Sequence, residues 1–222
     1  MSLSVLDISI IVGYLIVIVF LGIVLSKKAS KNIDNYFLGG NKIPWWILGI
    51  SNASGMFDIT GTIWLVMLLF IYGAKSIFIP WAWPIFNQIF LMVFMSAWLR
   101  RSNAMTGAEW LRTRFGEGRG AFLSHLIIVV FAIVGVIGFL AYGFKGSGLF
   151  FKTFLPWDFS ADTYALIIMA ITAIYVIKGG MYSVVLTELI QFTIMTIASI
   201  AIGIIAMNQV SPQMLHLVLP AD

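Results

Sequence analysis

The chain has 222 residues, of which 61% are hydrophobic and 10% charged, and it contains no cysteine. That apolar content exceeds what a soluble domain of this length needs, which places the chain with membrane proteins and excludes a disulfide framework or thiolate metal site. The formal net charge of +4 is not a nucleic-acid footprint. No basic stripe with interleaved aromatics is present, and no nucleic-acid partner is expected.

Six apolar spans, at 5–26, 45–73, 77–99, 121–148, 162–178 and 183–207, predict an all-α membrane protein with six transmembrane helices in one domain, 1–222. Backbone groups cannot stay unpaired in lipid, so each span is expected to be helical and the lipid bilayer is the first partner. The fifth, "DTYALIIMAITAIYVIK", lies at the short limit of the roughly 20 residues that cross a hydrocarbon core. The first span lacks a basic start and a cleavage site, unlike a signal peptide.

Lys27, Lys28, Lys31 and Lys42 follow the first span, Arg100, Arg101, Arg112, Arg114 and Arg119 follow the third, and Lys178 follows the fifth. Only Lys75, Lys145 and Lys152 fall in the other connections. The positive-inside rule makes the first, third and fifth loops cytoplasmic, giving a multi-pass plasma (inner) membrane protein with its N-terminus outside.

Taken in order, the first loop ends at Pro44, which suits a helix start. The second span then carries "ISNASGMFDITGTIW", residues 50–64, with small polar residues and Asp58 in its middle. Ser51 and Gly55 fit a small-xxx-small packing stripe. The acid and the crowd of breakers fit an interrupted helix, whose freed carbonyls would bind a cation and whose half-helix end would face a solute. Pro80 and Pro84 kink the third span or mark its first turns. Residues 107–114 predict a short interfacial helix. His125 and His216 form no metal spacing, and "GFKGSG" is not a phosphate loop. No enzyme activity is expected.

The last span holds a second acid, Glu188, with Thr187 and Gln191 beside it. About 12 Å of helix separates Glu188 from the preceding Gly-Gly turn. That depth suits an inner vestibule rather than the break itself, or a shallow, hydrated surface acid.

Three segments resemble the sodium/solute symporter family, the sodium-coupled sugar, proline, pantothenate and sialic acid transporters. "NYFLGGNKIPWW" is similar to the loop before the first core helix, "ISNASGMFDITG" to that broken helix, and "YVIKGGMYSVVLTELIQ" to the family's Gly-Gly signature. "TGAEWLRTRFG" is a weaker match to a cytoplasmic loop. The resemblance implies a five-plus-five inverted-repeat fold, with an extra N-terminal helix followed here by the first five-helix repeat. The second repeat of the same transporter would be a partner, and the chain is expected to be truncated or split before it. The resemblance further implies sodium-binding backbone carbonyls at Ser51 and Ser54, and a cytoplasmic cation path at Glu188, Thr187 and Gln191. It puts Asp58 at a substrate-facing position, with Phe57 and Trp81 in the solute region. Trp81 and Pro84 depart from the Glu and Ser ligands of a galactose-transporting member. The function expected is sodium-coupled symport of a small polar organic solute (sugar, amino acid or carboxylate) by alternating access, with the sodium ion as coupling ion. The alternative is a transporter-like sensor that signals through a module outside this chain.

Overall fold

The computed structural model describes residues 3–211, with positions 74, 81, 83 and 84 described by backbone alone. His216 lies outside the described residues. Those described are all helical or connecting, with no strand among them.

The helices are α1 (Val5–Ala29), α2 (Ile33–Leu38), α3 (Trp45–Gly55), α4 (Ile59–Tyr72), α5 (Ile79–Phe90), α6 (Ser96–Ser102), α7 (Gly107–Phe115), α8 (Arg119–Phe154) and α9 (Ala161–Gln209). Their ends follow local chemistry. Ser4 and Asp7 form a reciprocal capping box on α1, and Asn32, Thr106 and Ser160 accept from the first-turn amides of α2, α7 and α9. Gly39 closes α2 in the left-handed region at φ 59°. A short helix, α7, stands where one was expected at 107–114.

Three helices, α1, α8 and α9, are long and apolar enough to cross a membrane, and α3 with α4 makes a fourth if the broken pair is one span. Three of the six expected spans take a different form for identifiable reasons. Residues 77–99 become a 3₁₀ turn at Ala74–Phe78, then α5, a π turn at Leu91–Met95, and α6. Pro80 sits in the first turn of α5, where its missing N–H is harmless. Ser96 Oγ donates to Met92 O at 2.6 Å within the π turn. The expected spans 162–178 and 183–207 join in α9, whose backbone leaves helical geometry at Gly180 (φ 52°, ψ −152°).

Two compact units divide the described residues, one comprising the chain up to 62 together with 143 onward, the other 63–142. In the first, α1 and α3 pack on α9. Gly22 of α1 allows the closest approach: a Cβ there would stand 2.7 Å from Tyr175 Cβ. The loop segment 35–40 covers the α9 kink. Tyr36 donates to Ile177 O at 3.0 Å, Tyr182 donates to Gly39 O at 2.7 Å, and Lys28 Nζ lies 4.2 Å from the Tyr182 ring centre. In the second unit, α5, the π turn and α6 run on toward α7, and His125 Nδ1 lies 3.0 Å from Ala108 O.

Candidate functional site

The apolar segment that begins at Trp45 loses its helix after Gly55 and regains it at Ile59. The end of α3 tightens: Met56 N–H donates to Ala53 O at 3.2 Å and Phe57 N–H to Ser54 O at 3.0 Å. These short-range bonds replace the missing helical ones and leave a negative dipole end at Ser54–Gly55. On the far side of the break Asp58 caps α4, its Oδ1 accepting from Gly61 N–H at 2.5 Å. A carboxylate at a half-helix N-terminus is favoured by the dipole and by the orphan amides there.

Ser51 and Ser54 are buried, 6% and 3% exposed, on the α3 face that meets α9. Across from them stands Glu188. Ser51 Oγ donates to Glu188 Oε2, and the other carboxylate oxygen lies 3.7 Å from where a Gly55 Cβ would be. The Ser51–Gly55 stripe is therefore both a packing surface and a seat for an acid. Glu188, expected to line an inner vestibule, thus reaches Ser51 of the first half-helix. Ser51 is the seventh residue of α3, about 9 Å from its first, so it meets a residue eight positions beyond Gly180 at similar depth. Glycine at 55 lets the carboxylate in.

The Ser54 hydroxyl is buried with no hydrogen-bond partner, so an oxygen with unused lone pairs stands one turn from the Glu188 contact. Thr187, 1% exposed, donates back into its own helix to Ser183 O (3.0 Å) and Val184 O (2.9 Å), which leaves its oxygen able to accept. Tyr175, five positions before Gly180, is buried where α9 packs on Gly22 of α1.

Not every expected residue joins this cluster. Phe57 packs edge-on against Phe192, ring centres 6.4 Å apart. Asp58 is exposed on the α4 side of the break. Trp81 lies in α5, and its side chain is outside the described residues. Sequence reasoning missed Tyr175, buried against Gly22; a tyrosine in an apolar run five positions before Gly180 was the available signal.

The donor set is oxygen throughout: carboxylate, serine and threonine hydroxyls, and carbonyls at a helix C-terminus. Such a set suits a hard cation and offers nothing to a soft one.

Residues 36–218 match the profile of the sodium:solute symporter family. A sodium/glucose cotransporter 4 of Danio rerio is 30% identical over 94% of this chain and 31% of its own length. A sodium/mannose cotransporter of Bos taurus is 29% identical over 94% and 34%, and a sodium/myo-inositol cotransporter of Canis lupus familiaris 27% identical over 92% and 28%. This chain thus spans about a third of the length of the curated relatives it matches. No solved structure matches it significantly. The profile covers most of the chain, the broken helix and the Gly-Gly signature included, and the chain belongs to the sodium:solute symporter family.

Proposed function

We propose that these residues form the N-terminal part of a sodium-coupled symporter for a small polyhydroxylated solute. The observation that carries the reading is the seat of Glu188 on the broken helix, against Ser51 and beside the partnerless Ser54 hydroxyl. A negative charge held at the negative end of a half-helix is unfavourable by itself. A bound cation removes that conflict, and sodium matches the oxygen donors. Ser51, Ser54 and Glu188 would hold or pass the ion, with Thr187 and Gln191 along its path. Asp58 and Phe57 would face the solute at the break. A carboxylate accepts hydrogen bonds from sugar hydroxyls, and the relatives named for glucose, mannose and myo-inositol favour that class over amino acids.

In this reading the chain crosses the membrane six times from an outside N-terminus. The segment 77–102 counts as one span and α9 as two that meet at Gly180. α1 is the extra helix and the rest the first repeat, with a second repeat completing the site. Alternating access then shifts the populations of inward- and outward-open states, which sodium and solute bias together. The test is uptake of labelled glucose, mannose and myo-inositol by proteoliposomes holding the complete transporter. Uptake of at least one solute is expected to require a sodium gradient. Equal uptake when choline replaces sodium would overturn the proposal.

A further inference from the structure

The second unit carries a basic, aromatic-walled pocket that the transport reading leaves unused. It lies where α6 meets α7, an open concavity of about 330 Å³ lined by Trp98, Arg101, Ser102, Trp110, Thr113 and Arg114. Arg114 is held among rings, its Cζ 5.8 Å from the Trp98 ring centre, 5.7 Å from Trp110 and 5.8 Å from Phe115. Those contacts fix the guanidinium without neutralising it. The nearby acid Glu109 is already engaged, its Oε2 accepting from Met105 N–H at 2.8 Å. Neither Arg101 nor Arg114 has a carboxylate partner among the described residues. Ser102 Oγ and Thr113 Oγ1 donate to the Leu99 and Glu109 carbonyls at 2.8 and 3.3 Å, so the two planar forks are the donors this wall offers an anion.

We propose that this pocket binds the phosphate of an anionic phospholipid headgroup. Two guanidiniums suit a phosphate because each offers parallel N–H donors. The lipid source follows from the chain around the pocket. It sits where an apolar run ends: Phe90, Met92, Val93 and Phe94 are all more than half exposed, about two to three turns before Arg101. Two tryptophans flank the charges, as at a membrane–water boundary. The amphipathic α7 follows directly. A headgroup seated here keeps its acyl chains along that exposed apolar face, whereas a soluble phosphate would leave the face uncovered.

The test is native mass spectrometry of the full chain released from micelles holding equal phosphatidylglycerol and phosphatidylcholine. Phosphatidylglycerol is expected to be retained about tenfold or more over phosphatidylcholine, from about fivefold of lipid-surface attraction per arginine. The R101Q/R114Q double variant is expected to bring the ratio close to one, while R112Q, on α7 but outside the pocket, keeps it. An unchanged ratio in the double variant, or equal loss in R112Q, would overturn the assignment. Should the double variant fail to fold, R114K replaces it. Lysine keeps the charge and loses the fork, and is expected to lower the ratio severalfold; an unchanged ratio again overturns the proposal. Titration with inorganic phosphate separates the sources. Release of bound lipid by millimolar phosphate would show a free-anion site instead.

Discussion

Asp58 and Glu188 are both acids in apolar sequence, and the structure employs them differently. Asp58 caps α4 through Gly61 N–H, a role legible in the order Asp-Ile-Thr-Gly once the break is placed. Asparagine caps as well as aspartate, whereas alanine loses about 1 kcal/mol. Asp58→Asn is therefore expected to leave the thermal midpoint of the complete transporter unchanged and to lower solute affinity; Asp58→Ala lowers both. Unchanged affinity in the Asn variant would leave Asp58 as a cap alone. Glu188 was legible as an acid worth notice, but not its contact with Ser51. That pairing depends on where the kink at Gly180 begins and on which faces of α3 and α9 meet, and no local pattern specifies either. Glu188→Gln keeps the reach to Ser51 and removes the charge. Sodium for half-maximal uptake is expected to rise about fivefold, the difference between a charge-assisted and a neutral contact, and turnover to fall more than solute affinity. A sodium activation curve matching wild type would return Glu188 to the role of a surface acid.

Among elements, α9 shows how far periodicity reaches. The two apolar runs on either side of "KGG" were plain from hydropathy, and the interruption fell between them. The tight geometry there was not. Gly180 adopts φ 52°, ψ −152°, and a Cβ on it would stand 2.8 Å from Tyr36 O. That backbone region is essentially closed to other residues, at about 1–3 kcal/mol for strain, and the Tyr36 collision adds to it. Gly180→Ala is expected to lower the yield of folded protein and the thermal midpoint by several degrees, and to release the 35–40 segment to protease. A variant with wild-type melting and protease resistance would show that the kink is not needed. The apolar run 77–99, expected as one helix, is instead a 3₁₀ turn, α5, a π turn and α6. Apolar sequence with Pro80 near its start signals a helix, yet the π turn at Leu91–Met95 is a single extra residue per turn that leaves no hydrophobic period to detect.

At the scale of the molecule, large hydrophobic side chains remain uncovered along most helices, and the most apolar window of α8 has no buried residue. Lipid and further helices are the surfaces that fit such faces. The site has the same character: Ser51 and Ser54 on α3 face Glu188 on α9 beside the break. The 222 residues expressed alone are expected to insert into membranes and to show no sodium-dependent uptake; uptake by this chain alone, or by two copies of it, would mean the donors described are sufficient. The central claim is that ion and solute share one binding equilibrium across the break. Thermodynamic linkage makes the claim measurable without transport. Solute affinity of the complete protein is measured at zero and saturating sodium, and sodium affinity at zero and saturating solute. The account predicts that sodium tightens solute binding about tenfold or more, that solute tightens sodium by the same factor, and that Ser51→Ala with Glu188→Gln brings both factors toward one. Solute binding indifferent to sodium would contradict it.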